Sequence, residues 1–459
     1  IKYVCLLPTF IELGYLYFVK DEYGNQTVLQ SGTVVRKERF DTLYYYDNTD
    51  LGVTYTKSNT VFKLWAPTAT AVSLILIYKD NKSIIKMNKG KQGTFVLTVD
   101  RDLEGCLYRY LITNNNKSTA VIDVYGRASA ANHEYSAIVN PEKLLPVVSL
   151  NTPLAHPTDA IIYELSVRDF TVDKYGGVQN RRKYMGLTEK GTLTTNRIPT
   201  GLDYLKTLGI THIQLLPIFD FGGVNEHEPE KAYNWGYNPE QYNTPEGSYS
   251  IKPENIYERL NELRYLINTF HENGIGIIMD VVYNHVYNMD SFPFEYMVPG
   301  YFYRYDHNGI PANGSGCGND IATERKMVRK FIIDSVTYWA STYKVDGFRF
   351  DLMGIIDIET MNLIRRALVE INPHILIYGE GWNMNTPIPE AKKAIIANSH
   401  KLPGIGFFND RFRDYIKGHT FVVKNRGYAL GNFIYSEQVR HLFAGSIGYG
   451  KHEQVLFYE

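Results

Sequence analysis

The chain has 459 residues, 44% hydrophobic and 21% charged, an ordinary globular composition long enough for two or three domains with full cores. Its 48 Lys and Arg nearly balance 49 Asp and Glu, with no dense basic run, so the footprint of a nucleic-acid binder is missing and a neutral partner fits better. Three cysteines, Cys5, Cys106 and Cys317, odd in number and far apart, suit neither a disulfide framework nor a zinc site and point to a reducing, cytoplasmic compartment.

The apolar start, residues 4–19, is interrupted by Pro8, Glu12 and Gly14, so it reads as strand-forming sequence rather than a membrane span or signal core. Residues 1–52 alternate apolar and polar and are expected to form a small β segment of unknown role. Across 53–150 come short strand patterns, 61–65, 71–78, 93–99 and 107–113, separated by Gly, Asn, Asp and Pro. That spacing predicts a β-sandwich. From 151 to 459 the pattern changes to short apolar runs alternating with amphipathic helical stretches. The runs are 160–165, 211–216, 276–283, 347–350, 376–379 and 404–408, and helical patterns at 255–272 and 324–342 are long enough for parallel crossovers. The expected architecture is an α/β chain: a sandwich followed by a (β/α)8 barrel, with polar residues just after the strands, where a barrel places its site. Six of the eight units are found. Two more, of roughly 30 residues each, are expected beyond residue 459.

Three strand ends carry chemistry. The third run ends Asp280-Val281-Val282-Tyr283-Asn284-His285. It reads either as a buried strand with a polar cap or as a sugar-binding edge, with His285 donating to a hydroxyl and Asp280 orienting a cation. The fourth ends Gly347-Phe348-Arg349-Phe350-Asp351, and strand alternation puts Arg349 and Asp351 on one face. A guanidinium favours an ionised carboxylate, which suits Asp351 as a nucleophile; a structural ion pair is the alternative. The fifth ends Gly379-Glu380-Gly381-Trp382, where a desolvated carboxyl beside an indole suits a general acid. Adjacent strands can bring two such carboxyls to the roughly 5 to 5.5 Å that retaining glycoside hydrolysis requires.

These segments, DVVYNH, GFRFD and GEGW in this order, resemble the conserved regions of the α-amylase superfamily of glycoside hydrolases. Tyr233-Asn234-Trp235-Gly236-Tyr237-Asn238-Pro239, DGFRFDLMG at 346–354, GSGCGND at 314–320 and FFNDRFRD at 407–414 are similar to type I pullulanases within it. Residues 61–67 resemble the start of the sandwich module that precedes debranching enzymes. The resemblance implies cleavage of α-1,6 links in pullulan, glycogen, amylopectin and limit dextrins, with Asp351 as nucleophile, Glu380 as acid/base and Arg349 as the nucleophile's partner. It further implies sugar contacts at His285, Tyr237, Trp235, Trp382, Asp280, Asn284, Asp410 and Arg411. The alternatives are an α-1,4 hydrolase or glucan transferase sharing the same three regions, or a non-catalytic glucan binder, which the lack of a third carboxylate would allow. The superfamily's third carboxylate, the Asp of a His-Asp pair, has no counterpart, because none of the 12 His is followed by Asp. No nucleotide cofactor is implied. No calcium is assigned either, because the stretch after Asn284 lacks a clustered acidic set. No membrane partner is expected.

Overall fold

The structure, a computed structural model, describes residues 5–7, 11–30, 32–79, 81–420 and 422–443. Parts of the apolar start, residues 4 and 8–10, and the expected closing units of the barrel lie outside the described residues. Among the described residues ahead of the sandwich, Phe18–Lys20 and Gln26–Val28 form strands, paired as a hairpin. Gly32–Val35 and Glu38–Tyr44 are helical, which departs from the all-β expectation for 1–52. The reason is packing: Phe40 and Tyr44, one helical turn apart, meet at 4.8 Å, and Phe40 reaches Tyr301 at 5.6 Å.

The sandwich consists of two antiparallel sheets. One holds Gly52–Tyr55, Thr60–Trp65, Thr94–Val99 and Asn88–Lys89; the other holds Lys117–Val121, Leu107–Asn114, Ala71–Tyr78 and Asn81–Lys86. Alternation builds the core between them, with Phe62, Leu64, Leu74, Tyr108, Tyr110 and Ile112 buried. Trp65, on the opposite face of its strand from Phe62 and Leu64, is buried against the barrel side. Its Nε1 donates to the Tyr44 carbonyl at 2.8 Å, and its ring tilts against Tyr301 at 5.4 Å, so it is packed rather than presented.

The six apolar runs form one parallel sheet in sequence order: Ile162–Leu165, His212–Leu215, Gly276–Val281, Gly347–Phe350, Leu376–Gly379 and Gly406–Phe407. These are the first to sixth barrel strands. Helices Ile256–Glu272 and Lys326–Thr342 cover the outside of this sheet. Asn255 caps the first by accepting from the amides of Tyr257 and Glu258, and in the second Trp339 is fully buried with Nε1 donating to the Tyr242 carbonyl at 2.9 Å. An antiparallel hairpin, Phe219–Phe221 with Pro239–Pro245, is inserted after the second strand. It lies between the predicted runs and carries Trp235 and Tyr237 on its connecting loop.

Candidate active site

Register places the polar side chains. Asp280, Arg349 and Tyr378 are Cα partners across the third, fourth and fifth strands, so all three point to the same face of the sheet. Asp351 and Glu380 lie one step beyond the strand ends, with the Asp351 amide donating to the Val281 carbonyl at 3.0 Å and the Glu380 amide to the Phe350 carbonyl at 3.1 Å.

Arg349 joins them. Its Nη1 donates to Asp351 Oδ1 at 2.8 Å and to Asp280 Oδ1 at 3.0 Å, while its Nη2 donates to Glu380 Oε1 at 2.7 Å. The second oxygen of each site carboxyl is also held: Asn284 Nδ2 donates to Asp351 Oδ2 at 2.9 Å, and the Leu352 amide donates to Glu380 Oε2 at 3.1 Å. Leu352 adopts φ 41° and ψ 47°, a left-handed conformation that costs a leucine roughly 1–2 kcal/mol and that accompanies this amide contact. Burial raises the Glu380 carboxyl above its ordinary value and the Asp351 charge adds to this, against the opposing pull of Arg349.

Three residues expected to touch sugar are buried and hydrogen-bonded to protein partners. Asp280 and Asn284 are fully buried. Asp280 accepts from Arg349 and, at 2.7 Å, from the Tyr237 hydroxyl, and Asn284 donates to Asp351, so both act on neighbours rather than on the cleft. His285 is 2% exposed, with Nδ1 at 2.5 Å from Asn284 Oδ1 and Nε2 at 3.0 Å from the Tyr237 carbonyl, and burial lowers its pKa. Tyr237 is half-buried, with Trp235 edge-on at 5.6 Å and 59% exposed. Trp382, Asp410 and Arg411 line a cleft of about 440 Å³ beside Glu380, together with Phe407 and Phe408. The 314–320 segment packs under the site, Asn319 Oδ1 accepting from the Val286 amide at 3.0 Å.

Three contributors were not legible in the sequence. Phe408 lies 5.5 Å from the Arg349 guanidinium. Gln214, on the second strand, accepts from the Tyr378 hydroxyl and donates to Glu164, each at 2.7 Å. Leu352 gave no signal, since nothing in a leucine announces positive φ.

Among the described residues, His133, Asp220 and Glu226 form one group close enough to hold a metal ion. Their charge is already matched. Arg259, fully buried, donates to both carboxylates. Burial lowers the His133 pKa, but the Asp220 contact outweighs this and raises it to about 9.

Residues 50–126 match carbohydrate-binding module 48, the isoamylase N-terminal domain, and residues 181–297 match the alpha amylase catalytic domain. Sandwich and barrel strands thus define the class: an α-amylase-type barrel behind a module of that kind. The chain is 46% identical over 450 residues to the pullulanase of Bacillus subtilis, covering 98% of this chain and 62% of that protein. An Anoxybacillus pullulanase structure with maltotriose superposes with TM-score 0.92 at 50% identity, covering 96% of this chain and 64% of that one. A Paenibacillus barengoltzii pullulanase with maltohexaose and α-cyclodextrin gives 0.89 at 44% identity, covering 92% and 68%. The chain belongs to the pullulanase family, and it spans a little under two thirds of the length of its Bacillus relative.

Proposed function

We propose that a protein carrying this chain hydrolyses α-1,6 links in pullulan, glycogen, amylopectin and limit dextrins by a retaining double displacement. Asp351 attacks the anomeric carbon while Glu380 protonates the departing glycosidic oxygen, forming a glycosyl ester on Asp351. Glu380, now ionised, takes a proton from water, which attacks the same carbon and releases Asp351. The observation that carries this reading is the shared guanidinium. One Arg349 nitrogen holds Asp351 and the other holds Glu380, which fixes two carboxyls on neighbouring strand ends. Burial raises the Glu380 pKa, the direction a proton donor needs. Asn284 holds the second Asp351 oxygen, so that with Arg349 on the first the carboxylate does not rotate.

Support for the linkage comes from the relatives, which are named pullulanases, the Anoxybacillus one solved in complexes with maltotriose and with maltotetraose. Trp235, Tyr237 and Trp382 supply aromatic faces for glucose rings. No described helix is long and apolar enough to cross a membrane. The free thiols, two of them exposed, support a cytoplasmic setting. The experiment is a pullulan digest. Maltotriose with retained anomeric configuration is expected, with linear amylose cut slowly or not at all; panose or isopanose as the main product means α-1,4 cleavage.

A further inference from the structure

The loop at 222–238 has little regular structure of its own beyond the short turn Pro229–Lys231, yet it presents Trp235 and Tyr237. What holds its base comes from another domain. The carbonyls of Asp123, Val124 and Gly126, where the chain leaves the sandwich, accept from Gln241 Nε2 at 2.5 Å, Asn243 Nδ2 at 3.0 Å and Thr244 Oγ1 at 3.2 Å, all on the second hairpin strand. Ser129 Oγ donates to Asp220 Oδ2 at 3.1 Å on the first hairpin strand and accepts from Arg259 Nη1 at 2.9 Å. Asn132 Oδ1 accepts from the Glu226 amide at 2.8 Å, and Asn132 Nδ2 donates to Asn225 Oδ1 at 3.2 Å, both inside the loop.

The grip passes to the sugar-facing end. Asn234 Nδ2 donates to the Gly222 carbonyl at 2.7 Å, closing the neck of the loop, and Asn234 Oδ1 accepts from the Gly236 amide at 2.8 Å next to Tyr237. The Arg259 guanidinium, with no exposed surface, has to keep its acceptors in place, because an unpaired buried charge is strongly unfavourable. Its acceptors include the hairpin's Asp220, the loop's Glu226 and the sandwich-side Ser129.

We propose that the exit segment of the sandwich is a positioning part of the sugar site: Ser129 and Asn132, acting through Asp220, Arg259 and Glu226, set where the 222–238 loop presents Trp235 and Tyr237. The sugar-facing part of this inference rests on the function proposed above; the placement of the loop does not. A module buried through Trp65 against the barrel then contributes to glucan recognition without stacking a sugar itself.

The test labels the four tryptophans with 5-fluorotryptophan and follows them by fluorine NMR, beside titration with maltotriose. Ser129→Ala removes one anchor. Asn132→Gly removes the other at a half-buried position with φ 55°, which glycine accepts, so this variant folds even where the first does not. Each is expected to shift or broaden the Trp235 signal, to leave the core Trp65 and Trp339 signals in place, and to weaken maltotriose binding at least about threefold through lost preorganisation. Lys57→Ala, which breaks an exposed ion pair with Glu142, is expected to do neither. An unmoved Trp235 signal with unchanged maltotriose affinity in folded Asn132→Gly overturns the proposal. Failure of the unsubstituted protein to bind maltotriose would count against the glucan reading, and the Trp235 signal would then decide the positioning claim alone.

Discussion

Arg349 reaches Asp351 and Glu380 from different nitrogens, so each carboxyl is oriented without depending on the other. Charge-assisted contacts of this kind are short and directional. The two amide substitutions therefore separate the roles: Asp351→Asn keeps a shape but no nucleophile, and Glu380→Gln keeps an acceptor but no proton to give. Each is expected to lower turnover of pullulan at least about a hundredfold while maltotriose binding stays measurable. A variant retaining a tenth of the turnover would remove its residue from the mechanism. The alternation of Arg349 and Asp351 was legible in the sequence because a strand has a period of two. The pairing of Asp280 and His285 with Tyr237 was not, because Tyr237 arrives from a loop more than 40 residues earlier in the chain.

The helix Ile358–Ile371, which leads into the fifth strand, starts on a buried cap. Asp357 Oδ1 accepts from the Thr360 amide at 3.0 Å and from Arg329 Nη2 at 3.1 Å, while Oδ2 accepts from the hydroxyls of Thr323 and Thr360 at 2.7 and 2.6 Å. Asp357→Ala loses the cap, worth about 1 kcal/mol, and strands the buried donors at about 1–3 kcal/mol more. Urea unfolding is expected to show a loss of about 3 kcal/mol; a change below about 1 kcal/mol would mean that the donors find water or another acceptor. At this scale the barrel strands were readable, because buried parallel strands are continuous apolar runs ended by polar residues. The inserted hairpin was hidden by its composition. Pro239–Pro245 reads PEQYNTP, polar residues buried by the sandwich exit segment rather than by an apolar pattern of their own. The helices at 32–44 were hidden by their shortness, since four and seven residues show little periodicity.

Across the whole molecule, buried ionisable groups hold protons longer than they would in an unfolded chain. Burial raises Glu240, Glu262 and Glu295 to about 7 each and pushes Glu226 and Glu246 upward, and the Asp220 contact, outweighing burial, raises His133 to about 9. The native state therefore binds more protons than the unfolded state above pH 6.5, and stability falls as pH rises from there through 9. Burial lowers His212 and His285, which act in the opposite direction only below about 6.5. The melting temperature is expected to be higher at pH 6.5 than at pH 9, with a shallower slope in His133→Gln; an equal or higher value at pH 9 would mean these protons are lost before the chain unfolds. The central claim, that Asp351 forms a glycosyl ester while Glu380 moves the proton, is tested most directly by trapping. Maltotriosyl fluoride needs no acid to leave, so Glu380→Gln treated with it should accumulate an intermediate that peptide mass spectrometry can locate. A maltotriosyl adduct on the peptide containing Asp351, absent in the double variant with Asp351→Asn, is the predicted result; an adduct on a different carboxylate would contradict the account.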